Sequence, residues 1–128
     1  MKKKSFLIVD KDAHYAQIYA QRFEASGWKV FVEEQFEQAK KKLERIHPDV
    51  IIVDLHPVQE ALHFLTFLRT HSETKHILQI ALSSEGGRKI MKQAQETGVD
   101  HYILKTHFLP SDAVKKVKRL LDENPHSL

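Results

Sequence analysis

The stretch PDVIIVDLHP, residues 48–57, contains the most apolar run of the chain, Val50, Ile51, Ile52 and Val53, and an aspartate, Asp54, follows directly. A short run of branched apolar residues without polar alternation reads as a strand covered on both faces, the kind found inside parallel sheets. The pattern recurs upstream in FLIVDKD, where the run over residues 5–9 stops at Asp10. It recurs again at residues 28–32, 77–82 and 102–104.

Between these runs the spacing changes to that of helices. Ala13, Ala16, Ile18, Tyr19, Ala20 and Phe23 recur at helical spacing in a first helix, which Gly27 stops. Phe36, Ala39, Leu43 and Ile46 predict a second helix that Pro48 blocks. Ala61, Leu62, Phe64, Leu65 and Leu68 predict a third, and Ile90, Met91 and Ala94 a fourth that ends before Gly98. Ser111 or Asp112 is expected to cap a fifth, carrying Ala113, Val114, Val117, Leu120 and Leu121. Five strand–helix pairs in strict alternation predict an α/β fold with a parallel sheet and helices on both faces.

The chain has 128 residues, and at roughly 150 residues per domain this predicts one domain over 1–128. Its core is expected over about 5–121, with a frayed tail over 122–128. Cysteine is absent, which excludes disulfides, thiolate metal sites and cysteine nucleophiles. The nine histidines are scattered, without the pairing that a zinc site needs. No run approaches the ~20 apolar residues of a membrane span, and the acids at Asp10 and Asp12 interrupt any signal-peptide core. A cytoplasmic domain with no membrane contact is expected. The net charge is only +3, and the basic clusters at Lys2 to Lys4, Lys40 to Lys42 and Lys115 to Arg119 lack interleaved aromatics. They read as solvated faces, and no direct nucleic-acid binding is expected.

In parallel α/β sheets, ligands bind beyond the carboxyl ends of the strands, at the switch point of the topology. The residues at those positions are Asp10 with Asp12, Asp54, Ser83 with Ser84, and Lys105 with Thr106. Carboxylate oxygens suit a hard cation such as Mg²⁺. A lysine and a hydroxyl are suited to neutralising and hydrogen-bonding a phosphoryl group carried on one carboxylate. The turn after the first strand contains no glycine, so a dinucleotide or P-loop phosphate cradle is excluded there. Gly86 and Gly87, after the fourth strand, read as a flexible loop.

These strings, in this order, resemble the receiver domains of bacterial two-component response regulators, over about residues 5–121. FLIVDKD resembles the first strand with its acidic pocket, PDVIIVDLHP the third strand with its phosphoacceptor, IALSS the fourth-strand segment and GVDHYILKT the fifth. The resemblance implies a doubly wound, flavodoxin-like sheet of strand order 2-1-3-4-5 with five helices. It implies phosphorelay signalling by a domain that is not an enzyme, beyond assisting its own phosphorylation and dephosphorylation. Asp54 would take the phosphoryl group from a sensor histidine kinase or a phosphotransfer protein. Mg²⁺ would bridge Asp10, Asp54 and the backbone carbonyl of His56, with Asp12 as a substitute ligand. Ser83 and Lys105 would contact the phosphoryl group, and Tyr102 would turn inward as the switch aromatic.

The pocket departs from the family pattern. Lys11 stands where a second acid is usual, Thr106 replaces the usual proline after the lysine, and the loop after Asp54 is one residue short and lacks a glycine. Lys11 either occupies the metal site and pairs with Asp10 and Asp54 or extends its ammonium to water, and weakened Mg²⁺ binding is expected. His56, beside the pocket, would compete with the phosphoryl group or, protonated, attract it. Two functions follow: a phosphorylatable receiver, or a pseudo-receiver that binds proteins independently of phosphorylation. Output is expected through a downstream effector protein. The resemblance also allows a homodimer through the face between the fourth and fifth helices, built from Lys115, Arg119 and Asp100.

Overall fold

The computed structural model describes residues 3–124. Five strands and five helices alternate: β1 (Ser5–Val9), α1 (Ala13–Ala25), β2 (Lys29–Glu33), α2 (Phe36–Lys42), β3 (Val50–Asp54), α3 (Val58–Thr70), β4 (Leu78–Ser83), α4 (Arg88–Glu96), β5 (His101–Leu104) and α5 (Pro110–Asp122). A 3-10 turn, Lys105–His107, lies between β5 and α5. All strand pairs are parallel, and the order is β2-β1-β3-β4-β5, the doubly wound order that the family resemblance implied.

The apolar runs form central strands because both of their faces are covered. Phe6, Ile8, Val50, Ile52, Leu78, Ile80 and Leu82 face α1 and α5, and meet Ala16, Tyr19, Phe23, Ala113 and Val117. Leu7, Val9, Ile51, Val53 and Ala81 face the other way, toward Phe36 of α2, Leu65 and Leu68 of α3 and Ala94 of α4. The two-residue period of a strand divides each run between two cores. An aromatic group closes the first: Phe6 stacks on Phe23 at 4.4 Å between centroids, and Trp28 meets both edge-on.

Several boundaries differ from the sequence expectation. The strand expected over 28–32 is shifted by one residue, with Trp28 in the loop that precedes it. β4 likewise begins at Leu78 and takes in Ser83, and β5 begins at His101. The second helix ends at Lys42 rather than reaching Ile46, because the backbone tightens there: Glu44 and Arg45 donate to carbonyls three residues back. Leu43 is nevertheless buried and Ile46 packs on the core, so spacing reported burial correctly while overstating the helix. Neither Ser111 nor Asp112 caps the fifth helix. It starts at Pro110, with Leu109 at the cap position, since a proline at the first helical position has no N–H to satisfy. The helix runs through Asp122, and Glu123 and Asn124 close onto it, so the expected frayed tail does not begin at 122. Residues 125–128 and Lys2 lie outside the described residues.

One clasp fixes the far edge of the sheet. Arg69 of α3 donates through Nε to the Gly98 carbonyl at 2.9 Å, through Nη2 to Asp100 Oδ2 at 2.9 Å, and through Nη1 to the Lys75 carbonyl. Asp100 Oδ2 also accepts the Gln79 N–H at 2.9 Å. Gly98 has φ +92°, and a Cβ there would lie 2.8 Å from Arg69 Cγ, so this close crossing requires glycine. Asp100, expected on a pairing face with Lys115 and Arg119, is half-buried and paired with Arg69. Among the described residues, no helix is long and apolar enough to cross a membrane.

Candidate functional site

The strand order places the switch point between β1 and β3, because the chain winds outward from these two strands in opposite directions. Asp10 leaves β1 there, and its N–H remains tied to the Glu33 carbonyl at 3.0 Å. Asp54 is the last residue of β3, in register with Leu82. Ser83 ends β4, and Lys105 follows β5. The residues stand together at one sheet edge because every strand is parallel.

Three of the expected site residues meet. The Lys105 ammonium lies 3.0 Å from Asp54 Oδ1 and 3.7 Å from Asp10 Oδ2. Both aspartates are buried, at 3% and 8% exposure, so this lysine supplies most of their local countercharge. Burial pushes the Asp10 carboxyl up to about 6. The N–H of Asp12 draws it down, Asp54 adds repulsion, and Lys105 offsets part of that. Two buried acids against one lysine leave the pocket acidic.

Lys11 is not in this arrangement. It is exposed and takes part in no ion pair among the described residues. Asp12 is likewise elsewhere: its Oδ1 accepts the Tyr15 N–H at 3.0 Å as the cap of α1, and its own N–H donates to Asp10 Oδ1 at 2.9 Å. His56 is exposed, and its N–H closes a turn onto the Asp54 carbonyl at 2.9 Å. Thr106 is exposed within the 3-10 turn, and the one cis peptide among the described residues is His56–Pro57.

Ser83 and Tyr102 converge on a different atom. Ser83 Oγ donates to the Glu85 carbonyl at 3.0 Å, and the Tyr102 hydroxyl donates to the same oxygen at 2.5 Å. Ser83 Oγ also accepts the Glu85 N–H at 3.0 Å. The hydroxyls of the serine and the tyrosine are thus joined through one residue of the loop after β4. Glu33, a further acid at this sheet edge, turns away to Lys42 at 2.9 Å. Burial raises its carboxyl, but hydrogen bonds from Lys42 and from the Gln35 and Glu34 N–H groups outweigh this and leave it below its usual range.

Sequence reasoning missed Tyr15. Its ring lies under the Lys105 ammonium, 4.3 Å from Nζ to centroid. Its phenol is pushed up by burial, by the hydrogen bond to Tyr19 and by the nearby aspartates, so it stays protonated. The available signal was the pair Tyr15 and Tyr19, one helical turn apart just after the acidic loop.

The donors present suit a hard cation of small ligand demand. Mg²⁺ takes one or two carboxylates and fills its shell with water and phosphate oxygens, and Asp10 and Asp54 supply two buried carboxylates. Among the described residues no group of three or more histidines, aspartates or glutamates could hold a metal, which excludes a larger all-protein cage there.

Comparison with known proteins gives consistent results. The family model described as the response regulator receiver domain matches residues 6–118. The phosphate regulon transcriptional regulatory protein PhoB of Pseudomonas aeruginosa is 30% identical over 119 residues, covering 92% of this chain and 52% of that protein. PhoB of Escherichia coli K12 is 26% identical, with the same coverage. The chain therefore spans about half the length of the curated relatives it matches. A CheY-like response regulator receiver domain protein from Methanospirillum hungatei superposes with a TM-score of 0.83 at 24% identity, over 96% of this chain and 97% of that one, which shows the fold.

Proposed function

Because this chain belongs to the response regulator receiver domain family, we propose that it serves phosphorelay signalling by accepting a phosphoryl group on Asp54. The observation that carries the reading is the Lys105 ammonium 3.0 Å from Asp54 Oδ1, at the switch point of the sheet. A buried carboxylate facing a fixed cation is placed to attack phosphorus and to be compensated as charge builds there.

In the reaction, an Asp54 oxygen forms a bond to the phosphorus of a phosphohistidine on a histidine kinase or phosphotransfer protein. The phosphorus–nitrogen bond breaks, its electrons stay with the imidazole, and that nitrogen takes up a proton. Lys105 moves from the carboxylate toward the phosphoryl oxygens it is poised beside. Asp10, Asp54 and the His56 carbonyl are the groups that would hold Mg²⁺, which when bound neutralises phosphoryl oxygen charge. Ser83 is the group that would leave Glu85 to hydrogen-bond the phosphoryl group. That change would release the Glu85 carbonyl shared with Tyr102, altering the β4–α4 loop and the surface an effector protein meets.

A phosphorylation-independent binding module is the second reading, and one observation favours it: Asp12 is engaged as a helix cap, which leaves the pocket two carboxylates. Amide chemical-shift mapping with Mg²⁺ and then beryllofluoride, a phosphoryl mimic, separates the two. Shifts at Asp54, Ser83, Tyr102 and Lys105 that need both additions and vanish in Asp54→Asn are expected. A protein indifferent to both additions would favour the module.

A further inference from the structure

Lysine carries its charge on a flexible four-carbon stem, and two carboxylates on one side do not fix such a group. In this chain the same ammonium also stands over an aromatic ring. The ammonium of Lys105 stands 4.3 Å from the Tyr15 ring centroid while it reaches Asp54 Oδ1 at 3.0 Å and Asp10 Oδ2 at 3.7 Å. A cation over a ring face is held by the ring quadrupole, more strongly where water is excluded, and this lysine side chain is only 21% exposed.

The ring itself is anchored. The Tyr19 hydroxyl donates its one proton to the buried Phe108 carbonyl. The 3.0 Å contact between the two tyrosine oxygens therefore has Tyr15 as donor and Tyr19 as acceptor. Tyr19 also stacks on the Phe108 ring at 5.1 Å between centroids, and Tyr15 tilts against Tyr19 at 4.9 Å. Phe108 in turn donates its N–H to the Lys105 carbonyl at 3.2 Å. These contacts close a circuit that starts at the backbone of Lys105, passes through Phe108, Tyr19 and Tyr15, and returns at its ammonium. The two tyrosines, one turn apart on α1, thus hold both ends of the turn Lys105–His107.

We infer that Tyr15 is a positioning residue whose ring aims the Lys105 ammonium at Asp54, with Tyr19 and Phe108 fixing the ring. Its consequence for phosphoryl transfer rests on Asp54 being the phosphoacceptor. The hold on the lysine does not. The hydroxyl of Tyr15 tethers the ring, and the ring holds the charge, so phenylalanine should preserve most of the effect and leucine should lose it.

The test reads the lysine directly. In the full chain, the ε-methylene protons of Lys105 should resonate upfield of ordinary lysines and show nuclear Overhauser contacts to the Tyr15 ring. Tyr15→Phe should keep both features and Tyr15→Leu should lose them while the amide spectrum of the sheet is retained. With acetyl phosphate as donor, Asp54 labelling should slow about three- to tenfold in Tyr15→Leu and stay within about twofold in Tyr15→Phe. Ordinary ε-proton shifts in the parent protein, or shifts unchanged in Tyr15→Leu, would overturn the inference, and the parent spectrum decides even if Tyr15→Leu does not fold. A parent that takes no phosphoryl group but shows the displaced lysine signals would remove the phosphoacceptor reading and uphold the hold of Tyr15 on Lys105.

Discussion

Lys105 Nζ lies 3.0 Å from Asp54 Oδ1, closer than it lies to Asp10, so the lysine after β5 rather than the lysine after β1 supplies the cation of the pocket. Lys11, although adjacent to Asp10 in the chain, is exposed. The reason is geometric. Asp10 is buried at the end of a strand, and the next residue already belongs to the exposed bend that leads to the Asp12 cap.

The buried carboxyl of Asp10 makes stability depend on pH. Burial is the largest effect raising Asp10 from 3.8 to about 6. The folded protein keeps this proton where the unfolded chain has released it, so the group favours folding in acid and that contribution is lost as pH rises through about 6. Asp10→Asn retains the oxygen that accepts the Asp12 N–H and removes the charge. At pH ~8 its urea midpoint should exceed the parent's by an amount worth on the order of 2–3 kcal/mol, and near pH ~4 the two should coincide. A difference independent of pH would contradict the assignment.

The Arg69 clasp couples Arg69 to Gly98. Gly98→Ala forces a left-handed residue at a cost of about 1–2 kcal/mol, before the clash with Arg69 Cγ. Arg69→Ala removes the guanidinium from Asp100 and from two carbonyls, and should cost about 2–4 kcal/mol. Combined, the two substitutions should cost less than their sum, because the clash disappears with the side chain. Denaturation of the two single variants and the double variant measures that coupling, and strict additivity would count against the contact.

Gln79 also bears on stability. It is fully buried in β4, and neither its Oε1 nor its Nε2 has a hydrogen-bond partner among the described residues. Gln79→Met keeps the length of the side chain and discards both unsatisfied groups. A gain of about 1–3 kcal/mol is expected in chemical denaturation. A loss of stability would mean that these atoms are satisfied in solution.

Much of this fold was legible because its signals are local. Each apolar run, such as Val50 to Val53, forms most of a strand, and those of β1 and β3 end at the switch-point residues Asp10 and Asp54. Boundaries were less legible where a neighbouring element decides them. Leu43 is buried without being helical, and Pro110 starts a helix that Ser111 and Asp112 suggested for themselves. At the site, residue type and strand end pointed to Asp10, Asp54 and Lys105, which the structure brings together through the lysine ammonium, 3.0 Å from Asp54 and 3.7 Å from Asp10. The contribution of Tyr15 was not legible, because a cation over a ring depends on how α1 packs against the turn after β5, roughly ninety residues later. Asp100 was expected on a face with Lys115 and Arg119, and its pairing with Arg69 of α3 depends on tertiary packing that spacing does not show.

Phosphorylation at Asp54 is read by the intact mass of the protein after incubation with acetyl phosphate and Mg²⁺, beside Asp54→Asn. A gain of one phosphoryl group is expected in the parent, reversible on standing, and none in Asp54→Asn. No gain in the parent, or an equal gain in the variant, would contradict Asp54 as the phosphoacceptor.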